Sequence, residues 1–175
     1  MADYFDLIAS RESCRNFLER PVEKEKLIRC AEAARIAPSA CDSQPWEFIV
    51  VNGGPLRGKV AECAQQFGLN KFTQKAPAFV AVVEKKAMLR NPAGMVADQK
   101  YAKFDLGLAT MQFCLAATAQ GLSTCILGSI NRKKLKELPE IGEDVFVLIA
   151  VGYAADSPLR RKQRKGLDEI LKFAE

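Results

Sequence analysis

Three stretches of this chain carry side chains whose types and spacing could do chemistry. The first is Arg11-Glu12-Ser13-Cys14-Arg15, where two guanidinium groups flank a hydroxyl at alternate positions. Such a set can offer several donors to one phosphate, with a bidentate fork available from each arginine. Standing alone, the same pattern also suits a solvated turn in which Ser13 caps a helix. The second is Pro38-Ser39-Ala40-Cys41-Asp42-Ser43-Gln44-Pro45-Trp46, a polar loop bounded by prolines and closed by the only tryptophan. A rigid loop with Ser, Asp and Gln can aim donors and acceptors at a flat heteroaromatic ligand with little loss of entropy. Read structurally, it is a turn with Trp46 in the core. The third is the basic run Arg160, Arg161, Lys162, Arg164 and Lys165. A run of this kind forms a solvated face, a nucleic-acid patch or a seat for a small phosphate. No aromatic side chains interleave with it and carboxylates abound elsewhere, so neither nucleic acid nor membrane is expected as a partner.

Composition restricts the chemistry further. There is no histidine, which excludes Ser-His-Asp and Cys-His catalysis and the common His-bearing zinc sites. The six cysteines are Cys14, Cys30, Cys41, Cys63, Cys114 and Cys125, with no CxxC pair, so no metal site is expected. Difficult chemistry, if the chain performs any, then belongs to a bound cofactor. The thiols read as reduced, mostly buried small hydrophobes of a cytoplasmic protein. Apolar residues make up 49% and charged residues 27% of 175 residues, with a net charge of +5. That balance fits one ordinary folded domain over residues 1–175. The N-terminus does not read as a signal peptide, and no apolar run is long enough to cross a bilayer.

The elements that must position these segments follow from periodicity. Helices are expected over residues 4–10, from Pro21 to about Ile36, from Pro55 to about Phe67, over 96–120 and over 132–138. Strands are expected over 47–51, 78–83, 123–127 and 145–151. Residues 85–94 read as an exposed excursion, serving as a lid or dimer contact. The helix over 96–120 is apolar nearly all round, with Phe104, Leu108, Met111 and Leu115 on one face and Leu106, Ala109, Phe113 and Ala117 on another. Such a helix must be covered on several sides, and a second subunit is a natural source of cover. The fold class is α+β.

Taken in order, these segments resemble the nitroreductase family of FMN-dependent oxidoreductases, from Arg11 to about Ile170. The family's Arg-x-Ser-x-Arg-x-Phe pattern is present as Arg11, Ser13, Arg15 and Phe17. Its Pro-Ser-x-x-Asn-x-Gln-Pro-Trp loop is present as Pro38, Ser39, Asp42, Gln44, Pro45 and Trp46. Its long helix is matched by Asp105, Gly107, Ala109, Ala116, Ala117, Gly121 and Leu122, and its basic segment by Lys162, Arg164, Leu167, Glu169 and Ile170. Each motif is weak alone; four in order are strong.

The resemblance implies a mixed central sheet flanked by helices, in an interlocked homodimer that builds two FMN sites at its interface. It implies that Arg11, Ser13 and Arg15, with Glu12 among them, hold the phosphate and ribityl chain, and that Lys162 and Arg164 complete the clamp. Pro38, Ser39, Ala40, Asp42 and Gln44 would come from the other subunit to line the isoalloxazine, while Ile126, Leu127 and Gly128 would lie along it. One departure stands out. Asp42 occupies the usual Asn position, and a carboxylate accepts but does not donate. The implied activity is hydride transfer from NADH or NADPH to flavin N5, followed by ping-pong reduction of an electron-poor acceptor such as a nitroaromatic or quinone. No catalytic side chain is identified. Alternatives are another flavin chemistry on this scaffold (reductive dehalogenation or flavin fragmentation), a non-catalytic FMN-binding module, or a basic nucleic-acid binder.

Overall fold

Runs of β-branched and aromatic residues build the sheet, and helices with small apolar faces cover it. The computed structural model describes residues 3–86, 100–155 and 160–174. The elements are α1 (Tyr4–Ser10), α2 (Lys24–Arg35), β1 (Trp46–Asn52), α3 (Gly54–Ala64), β2 (Ala78–Glu84), α4 (Ala102–Ala119), β3 (Ser123–Leu127), α5 (Arg132–Lys136) and β4 (Val145–Gly152). Every expected strand is present within a residue of its bounds. The helix over 4–10 falls where expected, and the other four begin or end earlier or later by a few residues. The second starts at Lys24 rather than Pro21, and the third stops at Ala64, giving way to a separate turn with Phe67 at φ 57°. The long helix begins at Ala102, where Tyr101 O accepts the Asp105 amide at 2.9 Å and an acidic first turn suits the helix dipole. Residues 96–99 and most of the excursion over 85–94 lie outside the described residues. The helix at 132 stops at Lys136, because the next carbonyl bonds close a turn at Leu138, which accepts from Ile141 and Gly142.

The strands run in the order β1-β2-β4-β3. The family resemblance implied a mixed sheet, but all three strand pairs are antiparallel. Among the described residues, parallel character enters only through one isolated bridge, Ser13 to Thr124, at the β3 edge. Strand β2 is buried on both faces, and its side chains alternate between two cores. Phe79, Ala81 and Val83 face a core shared with α3 and α5, with Val60, Ala64 and Leu135. Ala78, Val80 and Val82 face a core shared with α2 and α4, with Leu27, Leu106 and Phe113. Phe48 stacks on Phe113 with ring centres 5.9 Å apart, fixing β1 over α4. The domain is α+β, a sheet between two helical layers.

Where β4 ends, Gly152 allows a close crossing by the segment that follows α1. A Cβ there would stand 2.6 Å from Pro77 Cδ and 3.0 Å from Phe17 Cδ1. Phe17 is fully buried and bridges Ala154. Gly152→Ala should therefore cost about 1–3 kcal/mol by overpacking. Urea unfolding measures it, and an unshifted midpoint would contradict the crossing.

Candidate functional site

The Arg11–Arg15 segment runs along the free edge of β3. Cys14 N donates to Thr124 O at 2.9 Å, Leu18 N to Tyr153 O at 2.8 Å, and Ala155 N to Asn16 O at 2.9 Å. These bonds hold the backbone, and burial of Cys14 and Phe17 holds the register. Cys14 is buried, while Arg11 and Ser13 are half-buried and Arg15 is exposed. The sequence pattern thus becomes a surface that carries donors.

The basic tail returns to this surface. Arg160 Nη2 donates to Ser13 O, and Lys162 Nζ donates to Ala9 O. The Ala9 carbonyl lies in the last turn of α1, where helix carbonyls lack internal partners and attract cations. Arg160 also meets Glu12: its backbone amide donates to Glu12 Oε2 at 3.2 Å, and its Nε lies 3.5 Å from the same oxygen. Between the two segments is a hollow of about 390 Å³ lined by Arg11, Glu12, Ser13, Arg160, Arg161, Lys162, Gln163 and Arg164. Five cationic side chains and one carboxylate line it. Packing that many like charges together is unfavourable without an anion among them.

Of the residues proposed from sequence, the structure brings Arg11, Glu12, Ser13, Lys162 and Arg164 to this hollow. Arg15 does not line it; its Nη1 donates to Ser13 O at 3.4 Å. Arg160 and Arg161, which the sequence analysis placed in the basic run but not at the cofactor, also line it. The signal was available, since Arg160 precedes Lys162 and Arg164 at the same two-residue spacing.

The loop with Ser39 stands apart from the hollow, between α2 and β1. Its backbone is strained, with Cys41, Asp42 and Gln44 at φ of 53°, 52° and 46°. Non-glycine residues in this region cost of order 1–3 kcal/mol each and persist only when surrounding contacts insist. Here Ser39 Oγ accepts the Gln44 amide at 2.9 Å, and Gln44 Nε2 donates to Asp42 Oδ1 at 3.0 Å. Asp105, on the buried face of α4, accepts the Ala40 amide at 3.1 Å. The sequence reading gave Asp105 no role. Its signal was a lone carboxylate on the helix face that also carries Ala102 and Ala109, both buried. Trp46 is half-buried, packed against the α2/α4 core rather than within it.

Ile126, Leu127 and Gly128 close β3. Ile126 and Gly128 are exposed and Leu127 is buried. The backbone just beyond them is tied down from both sides: Asn70 Nδ2 donates to Ser129 O at 3.1 Å, and Arg132 Nη2 donates to Gly128 O at 3.1 Å and Phe146 O at 2.8 Å. Neither Asn70 nor Arg132 was named from sequence. Asn70 is nevertheless the kind of residue that tolerates its left-handed backbone, φ 55°.

A sheet covered by helices on both faces, with a basic hollow built from both ends of the chain, defines an α+β protein suited to a small anionic ligand. Comparison with known proteins sharpens this. The chain matches the Nitroreductase family model over residues 8–153. A relative from Archaeoglobus fulgidus, provisionally named an NADH dehydrogenase/NAD(P)H nitroreductase, is 30% identical over 162 residues, covering 89% of this chain and 88% of its own. An iodotyrosine deiodinase from Haliscomenobacter hydrossis is 26% identical over 185 residues, covering 90% and 82%. A nitroreductase family protein of Streptococcus pneumoniae TIGR4 superposes with a TM-score of 0.81 at 25% identity, over 98% of this chain and 100% of that one. An oxidoreductase containing FMN superposes at 0.76 and 25% identity, over 89% and 78%. The chain belongs to the nitroreductase family.

The thiols are arranged as the sequence reading expected. All six are unbridged, and only Cys41 is exposed. Burial pushes the Cys30 thiol up to about 12, with Cys114 nearby adding to the rise and Gln120 opposing it. Burial likewise raises Cys63, Cys114 and Cys125. At Cys125 the guanidinium groups of Arg15, Arg160 and Arg11 pull the other way. Thiolate is the reactive form, so Cys41 alone should react quickly with a soluble aromatic disulfide at pH 8. The other five should react only after unfolding, and two or more fast thiols in the native protein would contradict this packing.

Proposed function

We propose that this chain is an FMN-dependent oxidoreductase that draws electrons from NADH or NADPH and passes them to a small electron-poor acceptor. The observation that carries the reading is the hollow between the Arg11–Ser13 segment and the tail, where five cations face one carboxylate. A phosphate monoester is doubly charged and rich in acceptors, so it suits this donor set. FMN, when bound, supplies the two-electron chemistry that no side chain here provides.

In this reading Arg11, Lys162 and Arg164 bind the phosphate, and the Ser13 hydroxyl adds a donor. Arg15, near Cys125, contributes positive potential behind them. The exposed backbone around Ile126 and Gly128, braced by Asn70 and Arg132, forms a fixed edge for the ring. The strained loop with Pro38, Ser39, Ala40, Asp42 and Gln44 covers the ring of a second copy's flavin. Its Asp42 carboxylate is turned toward the Gln44 amide and offers the ring no donor of its own.

The second copy follows from uncovered apolar surface. On α4, Phe104 is 66% exposed and Met111 is exposed too, although the opposite face is buried. Phe5 of α1 and Phe173 of the tail are 70% and 81% exposed. Apolar surface on this scale marks an interface, and a homodimer would cover it. No helix among the described residues is long and apolar enough to cross a membrane.

The deiodinase relative keeps reductive dehalogenation open as a second acceptor chemistry on the same scaffold. Side-by-side anaerobic assays with a nitroaromatic, a quinone and an iodophenol separate these.

Arg11→Ala and Arg164→Ala should each weaken FMN by about 1.5–3 kcal/mol, the scale for a hydrogen bond to a charged group. Fluorescence titration measures it, and wild-type affinity in both variants would refute the phosphate assignment. The protein should run at twice its chain mass in solution and lose its flavin colour on anaerobic mixing with NADH or NADPH. A colourless monomer that ignores added FMN would end this reading.

A further inference from the structure

We propose that Glu12 is a positioning residue: its carboxylate clasps the tail backbone at Arg160 and so sets Lys162 and Arg164 for the phosphate. The inference rests on the FMN reading of the hollow and extends it to a residue whose charge opposes an anion. A carboxylate lining an anion site repels the ligand, and by charge alone its removal should strengthen binding. Its geometry argues the other way.

The Glu12 side chain is 19% exposed, against 55% for Arg160, so the acid is the more firmly seated partner. Glu12 Oε2 takes the Arg160 backbone amide at 3.2 Å as well as lying 3.5 Å from Nε. Arg160 Nη2 meanwhile reaches the carbonyl of the very next residue, Ser13. Three contacts thus join one tail residue to two adjacent residues of a segment already pinned to β3. A chain advances at most about 3.5 Å per residue. Fixing Arg160 therefore confines Lys162 to within about 7 Å of the clasp and Arg164 to within about 14 Å. The one other tie described between these tail cations and the N-terminal segment is Lys162 to Ala9. Without Glu12, the tail keeps, among the described residues, only side-chain ties to this segment, Arg160 to Ser13 O and Lys162 to Ala9 O, and loses the one that holds its backbone.

The charge is separable from the clasp. A glutamine at position 12 keeps a carbonyl oxygen that can accept the Arg160 amide, but it carries no charge. An alanine removes both. If Glu12 positions the tail, E12A should raise the FMN dissociation constant about tenfold or more, the scale for losing a charge-assisted hydrogen bond. E12Q should stay at or below the wild-type value. Amide exchange at Arg160 in flavin-free protein gives a readout independent of the ligand, expected to quicken in E12A and not in E12Q.

The outcomes separate cleanly. Wild-type protein that fails to bind FMN sinks the flavin reading. Wild-type binding with E12A equal to or tighter than E12Q sinks the clasp, leaving Glu12 as a repulsive charge. Unchanged Arg160 exchange in E12A also overturns it. Weak E12A with restored E12Q and matching exchange establishes the positioning role.

Discussion

Gathering several guanidinium and ammonium groups in one place is electrostatically uphill, so something other than those groups must hold their backbones. In this protein the restraint is the extended segment laid along the free edge of β3. Its ladder bonds to Thr124 and its buried Cys14 and Phe17 fix position and register from beneath. Arg11 and Ser13 are thereby set in place, and the tail can dock on them. An edge strand is usually a hazard because its unpaired groups invite another chain. Here the protein's own N-terminal segment occupies that edge, in parallel, and makes it useful.

The two halves of the candidate site are held by different kinds of force. On the hollow side, backbone carbonyls at Ala9 and Ser13 take the cations Lys162 and Arg160, so charge is neutralised by dipoles and one carboxylate. On the loop side the cost is conformational. Three non-glycine residues within 41–44 sit at positive φ, and a buried carboxylate from α4 holds the entrance through the Ala40 amide. The same helix presents an exposed apolar face opposite its buried one. That face sits on the element that anchors the loop, so in the proposed homodimer the contact between copies and the loop geometry are linked through α4.

The absence of histidine and the state of the thiols fit this design. Cys30, Cys63, Cys114 and Cys125 are buried with their pKa pushed up, so they stay protonated and fill space rather than react. In the proposed reading the protein supplies a charged seat, a braced edge and a rigid loop. The redox step is left to a cofactor.

Much of this was legible in the sequence because it depends on short periods. The spacing of Arg11, Ser13 and Arg15 predicts a shared set of donors, and apolar runs predict the strands at 78–83 and 145–151. The nearly uniform apolar character of residues 96–120 predicts a helix that needs cover on several sides. What the tertiary structure decided was which distant groups meet, and in which direction strands pair. Arg160 reaches Ser13 across 147 residues, and Asp105 reaches Ala40 across 65. The antiparallel order β1-β2-β4-β3, with parallel pairing among the described residues only at Ser13, is of the same kind. A residue's own period is set by neighbours two to four positions away. Its partner across the fold is set by which packing buries every apolar face at once, and no local stretch of chain contains that information.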